Sequence, residues 1–148
     1  MKILLVAWRC AICVVAVFLL LAGTGCGKKG WPEPRLDEDR FTWGQIQHHR
    51  HGACLDARAL VYGAPGKLGF VFLEWMELDS NEDCPGCPFV PTGRVRLGDG
   101  SSEFKRQNGV IRILLCEWNP ERSYRWRLVG MNVHRGLGSV TSQVEFSR

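Results

Sequence analysis

Tyr124-Arg125-Trp126-Arg127-Leu128 is the stretch that decides the fold. Large apolar side chains take every second position, and arginines take the positions between them. A period of two is what a strand needs when one face packs in a core and the other meets water. It places Tyr124, Trp126 and Leu128 inward. Arg125 and Arg127 then lie on the outer face with Val129 and Met131.

Working outward from this strand, the same signal recurs. Ser139 to Phe146 follows it, and Val110 to Cys116 precedes it as a strongly β run. Arg94 to Leu97 reads as an edge strand, closed by a turn at Gly98 to Ser102. Lys67 to Leu78 carries Val71, Leu73 and Trp75 on one face, with Phe70 and Phe72 on the other. Leu55, Ala57, Ala59 and Val61 alternate with Cys54, Asp56, Arg58 and Leu60, ahead of the turn Gly63-Ala-Pro-Gly66. Phe41 to Gln47 makes a short first strand. Seven strands separated by turn residues, with no long helical period and no internal repeat, predict an all-β sandwich over residues 41–148.

The first 25 residues belong to a different kind of segment. Lys2 and Arg9 form a positive start, and Cys10 to Ala22 is uninterruptedly apolar. That run is shorter than the roughly 20 residues a spanning helix needs. Gly23-Thr24-Gly25-Cys26 resembles the lipobox of bacterial lipoproteins, although Gly23 stands where the family favours an aliphatic residue. Cys26-Gly-Lys-Lys-Gly-Trp-Pro-Glu-Pro34 resembles the processed start of small envelope lipoproteins of Gram-negative bacteria.

The resemblance implies a signal peptide at 1–25, diacylglycerol on the Cys26 sulfur and an acyl chain on its amino group. Membrane lipid is then a partner through acylated Cys26, since several chains anchor where one does not. Gly27, which is not an aspartate, implies an outer-membrane destination facing the periplasm. The leader is also similar to that of a small lipoprotein associated with lipopolysaccharide-transport assembly, which implies that machinery as a partner. Residues 26–40 read as a lipidated tether, with a reach of roughly 40 Å if polyproline-like. Removing Lys2 and Arg9 takes the net charge from +4 to +2 (4 − 2). So mild a charge does not point to nucleic acid.

Cys10 and Cys13 leave with the signal and Cys26 carries lipid. Cys54, Cys84, Cys87 and Cys116 remain, and in an oxidising compartment they make two disulfides in one of three pairings.

In the C-terminal third, Trp118-Asn-Pro120-Glu-Arg-Ser-Tyr124 resembles the fibronectin type III corner Leu-x-Pro-x-x-x-Tyr, with Trp118 in place of the leucine. Tyr124 to Asn132 is similar to that family's sixth strand, with Gly130 where alanine is usual. Gly136 to Ser142 is similar to its last turn and strand. The resemblance implies a seven-stranded immunoglobulin/fibronectin type III-like sandwich whose tyrosine hydroxyl bonds back to the preceding connection. It also makes the second and fifth strands antiparallel neighbours. Cys54 and Cys116 then fall at one end in the outward register. A Cys54–Cys116 bridge follows, leaving Cys84 to pair with Cys87.

Cys84-Pro-Gly-Cys87 has redox spacing, but such chemistry is usually set by a helix N-terminus, and here Pro88 follows with no helical pattern. A loop staple is the plainer reading. His48, His49 and His51 could ligate a borderline divalent metal. On a strand, His49 and His51 share a face that His48 opposes. His134 reads as a surface residue in the last turn. No nucleophile–base order, phosphate loop or carboxylate pair is recognisable, and no cofactor is implied.

Phe70 and Phe72 beside Arg125 and Arg127 have the composition of a protein-binding face. Alternatively, the tether or the long Asp79–Pro91 connection covers them. The expectation is a non-catalytic, membrane-anchored scaffold module with an unidentified envelope protein partner. The alternative is a thiol-redox or metal-handling periplasmic protein using the Cys-Pro-Gly-Cys loop and the histidines.

Overall fold

A computed structural model describes residues 38–78 and 87–147. The leader, Cys26, nearly all of the tether and Cys84 lie outside the described residues. Nine strands follow in chain order: β1 (Phe41–His51), β2 (Cys54–Gly63), β3 (Leu68–Leu78), β4 (Gly93–Gly98), β5 (Phe104–Gln107), β6 (Val110–Leu115), β7 (Ser123–Asn132), β8 (Ser139–Thr141) and β9 (Glu145–Ser147). Two antiparallel sheets face each other. The first has the order β1-β2-β6-β5; the second has β4-β3-β7-β8, with β9 also pairing β7.

The alternation in β7 holds as the sequence predicts. Trp126 and Leu128 are fully buried and Tyr124 nearly so, at the centre of a core shared by both sheets. Leu55, Ala57, Ala59 and Val61 meet them from β2, with Ile111, Ile113 and Leu115 from β6 and Val71 and Leu73 from β3. Burying an aromatic such as Trp126 removes roughly 150–250 Å² from water, which makes it the largest single contribution here.

The described residues form nine strands where seven are predicted, for two local reasons. Phe104-Lys-Arg-Gln107 holds one apolar residue in four, too little for a periodic signal, yet it pairs with β6 through Phe104↔Ile113. The last strand breaks between β8 and β9 because Ser142 turns inward. Its N–H donates to the Leu128 carbonyl at 2.8 Å, and its hydroxyl accepts from the Leu128 N–H at 2.9 Å. A side-chain oxygen thus replaces one rung of the ladder.

The first strand runs to His51, beyond Gln47, because its pairing with β2 continues to His51↔Cys54. It also changes phase. Trp43 opposes Val61 and Ile46 opposes Ala59, so β1 carries one extra residue there. Such a bulge switches which residues point inward. Phe41 and Trp43 face the core before it; Ile46, His48 and Arg50 face it afterwards.

Gly130 of β7 faces the Phe41 and Trp43 rings of β1 on the opposite sheet. A Cβ on it would lie 2.8 Å from both the Phe41 and Trp43 rings. Phe41 and Trp43 occupy the space an alanine methyl would need.

Candidate functional site

The outer face of the second sheet is built from three strands whose inward partners are fixed in the core. β3 contributes Phe70, Phe72 and Glu74, β4 contributes Arg94 and Arg96, and β7 contributes Arg125, Arg127 and Met131. Cross-strand register sets Arg96 beside Phe72, and Arg94 and Arg127 on either side of Glu74. On the far side of β7, Arg125 lies opposite Phe146.

Guanidinium groups and rings stack along this face. Arg96 lies 4.0 Å above the Phe70 ring and Arg94 lies 3.4 Å above Phe72. Phe70 and Phe72 themselves meet edge to face at 5.2 Å. Arg127 covers Phe89 at 4.7 Å. Beneath them Glu74, only 7% exposed, accepts from Arg127 at 2.8 and 2.9 Å and pairs with Arg94 at 3.5 Å. Cation–π stacking orders these arginines at low cost in solvation, because the guanidinium edges stay wet. Among the described outward residues of β3, β4 and β7, four arginines stand against one glutamate, a balance of +3 (4 − 1). The whole chain carries +4.

Phe70, Phe72, Arg125 and Arg127, the four residues expected to form a partner face, all lie on the outer face of the second sheet. Two corrections concern their surroundings. Phe70 and Phe72 are half-buried, covered by Arg96 and Arg94 from β4; Arg125 and Arg127 do not cover them. Arg125 donates to the Cys87 carbonyl at 2.9 Å and Arg127 takes Phe89, so the β3–β4 connection does cross this face, over β7. Arg94 and Arg96 were missed. Their alternation with Val95 and Leu97 was the available signal, but the register that sets them on the phenylalanines is non-local. At the end of the face, Gly69, Phe70, Arg96, Gly98, Asp99 and Ser101 line a recess of about 280 Å³.

The opposite end of the sandwich holds the cysteines and the corner. Leu55 pairs with Leu115, so Cys54 and Cys116 are the next residues along, and they form a disulfide. Cys87 is also disulfide-bonded. The Asn119 N–H donates to the Tyr124 hydroxyl at 3.0 Å, closing the corner. Trp118 stacks on Tyr124 with ring centroids 4.5 Å apart, and Pro120 lies exposed in the loop between them. Arg50 completes the arrangement. It donates to the carbonyls of Asn119 and Arg122, and its guanidinium lies 5.2 Å from the Tyr124 centroid. No sequence signal marked Arg50, because only the β1 bulge turns it inward.

The histidines are separated. His48 points into the sandwich, edge-on to Trp126 at 5.2 Å, with Nε2 3.1 Å from the Phe146 carbonyl. His49 and His51 are exposed on the other side of the strand. Among the described residues, no three His, Cys, Asp or Glu side chains gather where they could hold a metal ion. His134, expected at the surface, is part of a clasp: Lys67 Nζ lies 2.8 Å from Asp39 and 3.3 Å from His134 Nε2. On the outer face of the first sheet, Arg112 donates to the Asp56 carboxylate and holds its pKa below the usual value.

No protein-family model and no curated protein matches the chain. Among solved structures, it is similar to that of Astrotactin-2, a conserved vertebrate-specific and perforin-like membrane protein involved in neuronal development. The identity is 11% and the TM-score 0.44, over 68% of this chain and 20% of that one, so the chain spans about a fifth of that structure's length.

Proposed function

We propose that the protein is a lipid-anchored module of the cell envelope that binds another envelope component through the outer face of its second sheet and performs no catalysis. The observation that carries this reading is the arginine-rich strand face, on which Arg94 and Arg96 are held over Phe72 and Phe70 around a buried Glu74. Preordered arginine–aromatic surfaces lose little side-chain entropy on binding, and arginine and aromatic residues are enriched at the centres of protein interfaces. A partner with an acidic, ring-accepting surface fits this face. The sandwich is proposed to be of the fibronectin type III kind, supported by the Tyr124–Asn119 corner and by the Cys54–Cys116 bridge between β2 and the end of β6. Anchoring through acylated Cys26 is supported by the Cys-Gly-Lys-Lys-Gly leader.

The test is photo-crosslinking in the intact envelope. A photoreactive residue replaces Met131 or Phe146 on the second sheet, or Lys105 or Gln47 on the outer face of the first. A discrete adduct from Met131 and Phe146 alone is expected. Equal labelling from all four positions, or none, would sink the face assignment. Mass spectrometry of the same membrane fraction should find the mature chain beginning at an acylated Cys26; an unmodified Cys26 would overturn the anchor.

A further inference from the structure

The edges of the two sheets differ in how they are closed. β1 is interrupted by its bulge, and two of its side chains reach across to the other sheet. The Trp43 indole N–H donates to the Val140 carbonyl at 2.8 Å, and His48 Nε2 contacts the Phe146 carbonyl. β5 has four residues and β8 and β9 three each. Short, bulged or covered edges are the usual protections against unwanted pairing. β4 has none of them among the described residues. It is six residues long, it terminates its sheet, and it pairs with β3 in unbroken register from Gly93 to Gly98.

The arginines of β4 do not block this edge. Arg94 and Arg96 lie back over Phe72 and Phe70 of β3, within their own sheet. The inward residues of β4 alternate as Gly93, Val95 and Leu97, with Leu97 buried and Val95 only half-buried. A strand laid against β4 would therefore set its outward side chains beside the stems of Arg94 and Arg96, whose guanidinium groups reach it by swinging off the Phe72 and Phe70 rings, and its inward ones beside Val95. Opposite charges at facing positions of an antiparallel pair stabilise it, and like charges destabilise it. A second copy of β4 would set arginine against arginine, so self-pairing is disfavoured.

We infer that β4 is a strand-addition site for an extended segment of a partner in which acidic residues alternate with apolar ones. This deepens the proposed binding role, and rests on it, by naming how the second sheet is engaged. Backbone hydrogen bonds along such an edge supply affinity, and alternate side chains supply selectivity.

The experiment uses the full chain purified from membranes in detergent. Two synthetic peptides of about eight residues, matched to strand length, alternate valine with either glutamate or lysine. Amide hydrogen exchange is followed by mass spectrometry and NMR. The expected result is slowed exchange at Gly93–Gly98 with the glutamate peptide, about tenfold tighter binding than the lysine peptide, and loss of that preference in Arg94→Gln/Arg96→Gln. The peptide swap needs no variant, so a folding defect in the double variant leaves the comparison intact. Equal binding of both peptides overturns the inference. So does protection confined to β7 without β4, although the face reading survives that result. Protection of β4 that rises with protein concentration in the absence of peptide would mark self-association and overturn it too. Failure of the face reading itself is seen separately, as missing adducts from Met131 and Phe146.

Discussion

Arg50 and Tyr124 lie on opposite sheets, and the guanidinium of the first rests 5.2 Å from the ring centroid of the second. The same guanidinium donates to the carbonyls of Asn119 and Arg122, the loop that Tyr124 closes with its hydroxyl. One side chain therefore ties the end of β1 to the corner before β7. Hydrogen bonds from a charged donor contribute about 1.5–3 kcal/mol each where both partners are shielded, and less where one is exposed as here. Arg50→Ala is expected to lower stability by roughly 2 kcal/mol in urea unfolding, and Arg50→Lys to recover less than half of it, because an ammonium cannot span two carbonyls. Full recovery by lysine would mean that charge alone matters.

Gly130→Ala should cost roughly 1–3 kcal/mol, since its methyl would lie 2.8 Å from the Phe41 and Trp43 rings and the rings must move. Pairing it with Trp43→Phe, which shortens the obstructing side chain, should return part of the loss. Thermal unfolding of the two variants decides this; additive losses would show that the contact is not the cause.

The Cys54–Cys116 disulfide closes a segment with a sequence separation of 62. Constraining a loop of that size in the unfolded chain stabilises the fold by about 4 kcal/mol in the chain-entropy model. Cys54→Ala/Cys116→Ala should show this as a lower urea midpoint. An unchanged midpoint would mean that the unfolded chain is already restricted.

Asp56 gives the acid limb. The hydrogen bond from Arg112 is the main cause holding its pKa below the ordinary 3.8. A depressed carboxylate pKa contributes stability that is complete above the unfolded value and is lost as pH falls through the folded one. Its side chain is 26% exposed, and that of Arg112 49%, so the contribution is small, about 0.5 kcal/mol. Asp56→Asn should therefore destabilise slightly near neutrality, and the gap to the parent should close as pH falls from the unfolded value through the depressed folded one. Chemical unfolding at a series of pH values measures it. A gap that widens toward low pH would contradict the sign.

Alternation made the core legible: Tyr124, Trp126 and Leu128, the β2 and β6 rows, and the outward register of Cys54 and Cys116 were all readable as period two. The corner was readable from Trp118, Pro120 and Tyr124, because its spacing is local. β5 was lost because Phe104 is its only apolar residue. The contacts of the sheet face were lost because Arg94 and Arg96 reach Phe72 and Phe70 by cross-strand register, which no window of sequence contains. His48 and Arg50 acquired their roles from a single extra residue in β1.

That extra residue makes β1 sensitive to length in a way it is not to composition. Removing one position between Trp43 and Ile46 would restore continuous pairing with β2 and exchange the two faces of everything from Ile46 to His51. His49 and His51 would enter the sandwich, and Arg50 would leave the corner it holds. Point substitutions at Gln45 alter one side chain, whereas a single-codon deletion there inverts half a strand. Homologous chains should therefore vary in the identity of these residues while conserving their number.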